Sequence, residues 1–157
     1  MVHLLLAIIY MAFISLGLPD GLLGAAWPSM VPELGTPVSF AGVIFIIISV
    51  GTVVSSLLSQ RLNLRFGPGK VTAFSVAMTA AALFGFASCR STWQLCLWAL
   101  PYGLGAGSVD ACLNNYVALH YASRHMSWLH CMWGIGASVG QRFRGNLDAS
   151  CSHRFLF

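Results

Sequence analysis

Charge is what this sequence has least of. Of 157 residues, eight are Lys or Arg and four are Asp or Glu, so only 8% are charged. A soluble domain of ordinary composition carries about 25%. So few charges cannot coat a water-soluble globule of this size. The scarcity comes with 57% hydrophobic residues, the reverse of a disordered chain. The acids are only Asp20, Glu33, Asp110 and Asp148, which leaves a net charge of +4. The eight basic residues are scattered among apolar runs and form no basic face for nucleic acid.

Several chemistries are also missing. The five cysteines (Cys89, Cys96, Cys112, Cys131, Cys151) show no CxxC pair, and three lie in apolar runs as small buried hydrophobes. His120, His125, His130 and Cys131 share no helical face at ligand spacing, so no metal site is expected. Gly103-Leu104-Gly105-Ala106-Gly107 has no strand before it and no Lys-Ser/Thr after it, which excludes a phosphate-binding loop. No nucleophile–base pair stands out either. The expectation is a protein that is not an enzyme and uses no cofactor.

What is present is long apolar sequence, with a mean hydropathy of +0.78. About 20 apolar residues carry a helix across the bilayer's hydrocarbon. Leu4 to Trp27, Phe40 to Ser59 and Trp93 to Leu119 qualify, and Val71 to Ser88 qualifies if Lys70 snorkels to the interface. A fifth run, 127–140, is too short to span. Barrel strands would alternate apolar with polar residues, which these runs do not. The expected fold class is therefore an all-α membrane protein with four full transmembrane helices and a partial fifth.

The expected connections are short: a Pro/Gly-marked turn at 28–38, a basic loop with Arg61, Arg65 and Lys70, a tight turn holding Arg90, and 120–126 holding Arg124. Alternate connections share a side, and the positive-inside bias puts the basic loops and the N-terminus in the cytoplasm. The location expected is the inner or plasma membrane, multi-pass. A cleaved signal peptide fits the first segment poorly, since it lacks a basic start and its apolar stretch is long. Trp27, Trp93 and Trp128 fall at expected helix ends, as interfacial aromatics do. The tail 141–157 follows no helical or strand period.

Asp20 and Asp110 lie inside apolar runs, where an acid costs about 2.5–3.5 kcal/mol to insert. Such residues ordinarily face a cavity, a partner or a proton path. Apolar surroundings disfavour the charged form and so suit reversible protonation. Asp20, between Pro19 and Gly21, can alternatively cap a helix end near the interface. At helical period, Gly103, Gly107, Asp110 and Asn114 form one stripe, and Gly17, Asp20, Gly21 and Gly24 form another. Small and polar stripes on membrane helices face protein or water. The two stripes are expected either to line a shared cavity or simply to pack helices, and the acids favour the cavity.

These motifs carry a resemblance. Residues 14–28, ISLGLPDGLLGAAWP, resemble the first helix of major facilitator superfamily transporters, closest to bacterial sugar permeases of the fucose-permease type. Residues 107–117, GSVDACLNNYV, resemble the fourth helix of that branch, and 126–137, MSWLHCMWGIGA, its fifth-helix opening. The resemblance implies two six-helix bundles working by alternating access, with a sugar and a proton as partners in a lipid bilayer. It assigns proton coupling and sugar recognition to Asp20 and Asp110, with Asn114 nearby in the cavity. The superfamily's loop signature is matched by Arg65, Gly67 and Lys70. It is broken by Gln60, Leu64 and Pro68, which puts the salt bridge it supports in doubt.

The resemblance stops near Gly140, where relatives continue with proline and seven further helices. On this reading residues 1–140 are a truncated N-terminal bundle and 141–157 an aberrant polar tail, as a shifted reading frame or early stop would produce. Such a chain has nothing to rock against and would not transport alone. The rival reading is a small non-transporting membrane protein that associates through its glycine faces.

Overall fold

Where proline and glycine interrupt the apolar runs decides where the helices end. The computed structural model describes the backbone of residues 2–154, with side chains at all of these except 2, 3, 33 and 144–154. Five helices follow one another: α1 (Val2–Leu34), α2 (Phe40–Phe66), α3 (Pro68–Ala87), α4 (Thr92–His120) and α5 (Arg124–Arg154). Two compact units are distinguished, one of residues 1–30 and 122–157 with most of α1 and α5, the other of residues 31–121 with α2, α3 and α4. Each is described by itself.

Where the boundaries differ from the expectation by more than a residue, the helices are longer. α1 does not stop at Trp27 but runs through Pro28 and Pro32 to Leu34, so the turn expected at 28–38 shrinks to Gly35 (φ 61°) and its neighbours. Proline removes one N–H per site, which an apolar helix tolerates when nearby groups re-satisfy the freed carbonyls. Beside Pro28 the Ser29 hydroxyl donates to the Ala26 carbonyl at 2.8 Å, so it too is satisfied within the helix. α2 continues past Ser59 to Phe66, taking Arg61 and Arg65 into the helix. Hydropathy marks where the lipid ends, not where the helix ends. The α2–α3 connection is then Gly67 alone, at φ 84° and ψ 149°, a region open essentially only to glycine. Pro68 follows at the first helical position, where its missing N–H costs nothing.

The largest difference is at the end. The segment assigned to 127–140 belongs to a helix of 31 residues that carries the tail to Arg154, so the tail is helical rather than aperiodic. The tail's Arg144, Asp148 and Arg154 and the loop's Glu33 lie outside the residues whose side chains are described, and 155–157 lie outside the described residues altogether.

By length and composition, three helices are able to cross a membrane among the described residues: Leu4–Pro32, Phe40–Phe66 and Pro68–Ala87. The expected fourth span, α4, is 29 residues long, about 43 Å at ~1.5 Å per residue. It is missing from that set because Gln94, Asp110, Asn114 and Asn115 dilute its apolar content.

α4 is covered chiefly at small residues, among them Ala99, Gly103, Gly105, Gly107, Ser108 and Cys112. In its unit it packs along both α2 and α3, which touch each other far less. Its glycines alternate between the two neighbours because residues two apart on a helix point to nearly opposite sides. Gly103 lies against the Ile48 backbone and Gly107 against Thr52, both on α2, while Gly105 lies against Ser75 and Thr79 on α3. Gly51 of α2 answers with its own close approach to Gly103 and Leu104. The buried Ser55 and Ser108 hydroxyls bond each other at 3.0 Å across the α2–α4 contact, so neither is left unpaired in an apolar setting. Outward, large apolar side chains are left bare, with Leu57 73% and Phe84 77% exposed, as lipid-facing residues are.

The α1–α5 unit is built on a second glycine contact. Gly17 and Gly21 meet the backbone of Trp133 and Ala137, and Gly136 and Gly140 meet that of Ile14 and Leu18. Two small-xxx-small pairs thus interlock and bring the backbones into contact. The helices run parallel, since Tyr10 meets His125 while Gly21 meets Ala137. Phe13 and Leu129 are fully buried here. Trp27 was expected at an interface, but it sits within α1 and is only 5% exposed, whereas Trp93 and Trp128 are exposed at helix starts.

Candidate intramembrane polar site

Asp110 and Asn114 are one helical turn apart on α4, and the structure joins them: the Asn114 amide donates to Asp110 Oδ1 at 3.1 Å. Both residues are half-buried. The other end of the amide, Asn114 Oδ1, is buried with no hydrogen-bond partner among the described residues. A buried acceptor left unsatisfied costs about 1–3 kcal/mol. The expectation that Gly103 and Gly107 share a cavity-lining stripe with this pair is corrected. Both glycines are buried against α2. The stripe changes character along its length, from helix contact at its N-terminal half to a half-buried acid–amide pair at its C-terminal half.

Asp20 is half-buried within α1, not at a helix end, so the capping alternative does not apply. Its carboxylate accepts from the Trp133 indole Nε1–H of α5 at 3.3 Å. Trp133 was missed in the sequence, although its position just before Gly134 and Gly136 on a glycine-patterned helix was the available signal. Asp20 belongs to the α1–α5 unit and Asp110 to the α2–α4 unit, so each acid is described within its own unit. On the same helix pair as Asp20, the Tyr10 hydroxyl and His125 Nδ1 are hydrogen-bonded at 2.7 Å, and the Phe13 and His130 rings meet edge to face at 6.4 Å.

Arg65, Gly67 and Lys70 are brought together at the α2–α3 junction. Arg65 is in the last turn of α2, with its guanidinium 5.5 Å from the Phe66 ring centroid, and Lys70 is in the first turn of α3. The Gly67 N–H donates to the Asn63 carbonyl at 3.0 Å and closes the turn. No group of three or more His, Cys, Asp or Glu able to hold a metal occurs among the described residues.

The family model described as Major Facilitator Superfamily matches residues 6–151, running on past Gly140. Two curated relatives are similar. Bypass of stop codon protein 6 of Saccharomyces cerevisiae is 27% identical over 130 residues, covering 81% of this chain and 26% of the relative. An uncharacterized transporter, y4wD, of Sinorhizobium fredii is 29% identical over 128 residues, covering 77% of this chain and 34% of the relative. The chain thus spans about a quarter to a third of the length of the relatives it matches. No solved structure matches it significantly.

Proposed function

The chain belongs to the Major Facilitator Superfamily, and from that footing we propose that it works in the proton-coupled uptake of a sugar or similar small solute. Membrane transport in general follows from the family and from the transporter relative. The solute class, the proton and the residues below are this reading's own. Alternating access needs a second bundle to rock against, so the activity is assigned to a complete carrier in which α1 to α5 form most of the first bundle.

The observation that carries the reading is the Asp110–Asn114 pair with its unpartnered amide oxygen. With Asp110 ionised, the amide NH2 turns to the carboxylate and the amide oxygen is presented as an acceptor, which suits a sugar hydroxyl. With Asp110 protonated, its O–H becomes a donor. The amide then turns its oxygen to that proton and presents NH2 instead. One proton thereby inverts the hydrogen-bonding character offered to the solute, which is a means of coupling. Asp20, held by the Trp133 indole, is the second carboxylate of this scheme. The basic α2–α3 junction faces the cytoplasm and α4 crosses the membrane.

The rival reading, association through free glycine faces, loses its main support. Gly103 and Gly107, and likewise Gly17 and Gly21, are already occupied by helices of the same chain.

The test uses the complete carrier in proteoliposomes with an imposed pH gradient. Asp110→Asn is expected to keep sugar exchange and lose uphill accumulation, and Asn114→Ala to raise KM more than it lowers kcat. If Asp110→Asn still accumulates sugar against its gradient, the coupling role is wrong.

A further inference from the structure

Between α2 and α3, with α4 as its floor, lies a half-open groove of about 550 Å³ that has no part in the solute scheme. Its walls include Val54, Leu58 and Phe66 on α2 and Phe74 and Met78 on α3, and Lys70 stands among them. We propose that this groove seats one acyl chain of an anionic phospholipid, with the lipid phosphate held by Lys70.

Three observations converge. The lining is apolar apart from Lys70 and three serines, and the hydroxyls of Ser55 and Ser108 are engaged with each other at 3.0 Å. A sugar would find few free partners there, whereas an acyl chain needs none. The dimensions match one leaflet. From Phe66 to Val54 along α2 is about 18 Å, and from Lys70 to Met78 along α3 about 12 Å, at ~1.5 Å per residue. Half of the hydrocarbon core is about 15 Å. The groove therefore runs from the α2–α3 junction, where a headgroup would lie, toward the bilayer middle. The charge is complementary as well. No Asp or Glu occurs between Glu33 and Asp110, so the α2–α3 hairpin carries only cations, Arg61, Arg65 and Lys70. Arg65 lies over the ring of Phe66, itself a groove residue, which puts a second cation beside the mouth. The α3 N-terminus adds the positive end of its helix dipole at the same place.

The experiment is native mass spectrometry of the purified chain in detergent, titrated with dioleoyl phosphatidylglycerol or dioleoyl phosphatidylcholine. The wild type is expected to retain a single phosphatidylglycerol about fivefold more than phosphatidylcholine, the preference one basic residue near an anionic headgroup supplies. Lys70→Gln should bring the two lipids to parity, while Arg90→Gln, in the turn at the other end of α3, should keep the preference. Val54→Trp, which fills the groove, should reduce retention of both. Lys70 is exposed, so Lys70→Gln is expected to fold with unchanged helicity by circular dichroism, and it decides the matter if Val54→Trp does not fold. Equal retention by the wild type overturns the proposal. So does a preference that survives Lys70→Gln, one that Arg90→Gln also abolishes, or a protein dimer forming in place of the lipid adduct.

Discussion

The contact between α2 and α4 gives a prediction whose sign depends on geometry alone. A Cβ added at Gly107 would stand 2.6 Å from the Thr52 carbonyl oxygen, 2.7 Å from Thr52 Cα and 2.9 Å from Ser55 Oγ. Ordinary contact begins near 3.4 Å, so α2 must back off by roughly 0.8 Å, and two of the three obstacles are backbone that cannot rotate away. The Ser55–Ser108 bond at 3.0 Å lies beside this point, and lengthened by that much it is no longer a hydrogen bond. Overpacking costs about 1–3 kcal/mol. A lost interhelical bond in a membrane protein costs about 0.6 more. Against these stands about 1 kcal/mol of helix propensity gained on replacing Gly with Ala. Gly107→Ala is thus expected to destabilise by about 0.5–2.5 kcal/mol net. The control is the same substitution at Gly42 in α2, where an added Cβ meets nothing within 4 Å. Gly42→Ala keeps only the propensity gain, up to about 1 kcal/mol of added stability. The assay is unfolding in mixed micelles with rising dodecyl sulfate, followed by far-ultraviolet circular dichroism. If Gly107→Ala matches or exceeds the wild type while Gly42→Ala gains, the close α2–α4 approach is wrong.

Further predictions concern the other unit and the α3–α4 turn. Gly136→Leu should separate α1 from α5, since the added side chain enters the Ile14 backbone; it should lower stability in the same unfolding assay, and an unchanged transition would refute the close α1–α5 approach. Trp133→Phe removes only an indole donor at 3.3 Å to a half-buried acid, so it should cost under about 1 kcal/mol in the same unfolding assay; a loss of several kcal/mol would mean that Trp133 acts by packing. Cys89 donates to the Gly85 carbonyl at 3.0 Å, and burial pushes its thiol pKa up. At any pH below that raised value it holds less thiolate than an ordinary cysteine, so iodoacetamide should label Cys89 more slowly than a free thiol peptide, with its rate rising at higher pH. Equal rates across the titration would remove the burial argument.

How far the sequence could be read follows from which physical signal each feature leaves. The apolar runs located α1 to α4 because lipid selects for hydropathy along a whole helix. The Asp110–Asn114 pair was legible because spacing by one helical turn fixes a contact within a single helix, with no partner needed. What was misread depends on a second helix. Gly103 and Gly107 looked like part of a cavity stripe, since a glycine leaves the same mark in sequence whether it admits a helix or a solute. Only the backbone of Ile48 and Thr52 beside them decides which. Gly136 and Gly140, in contrast, carried a legible pattern, Gly-Ala-Ser-Val-Gly, that matches Gly17-Leu-Pro-Asp-Gly in spacing, yet the charges just beyond them drew the boundary of the helix too early. The same error shortened α2 at Ser59. Arg61, Arg65, Arg142 and their neighbours end the apolar run without ending the helix, because a helix stops for want of a cap or a breaker and long basic side chains can stay helical at the interface. The two errors have one consequence for function. Once α2 reaches Phe66 and turns on a single glycine, Lys70 is drawn from a loop to the groove wall, and a residue first noted as part of a loop signature becomes the one cation among that groove's lining residues.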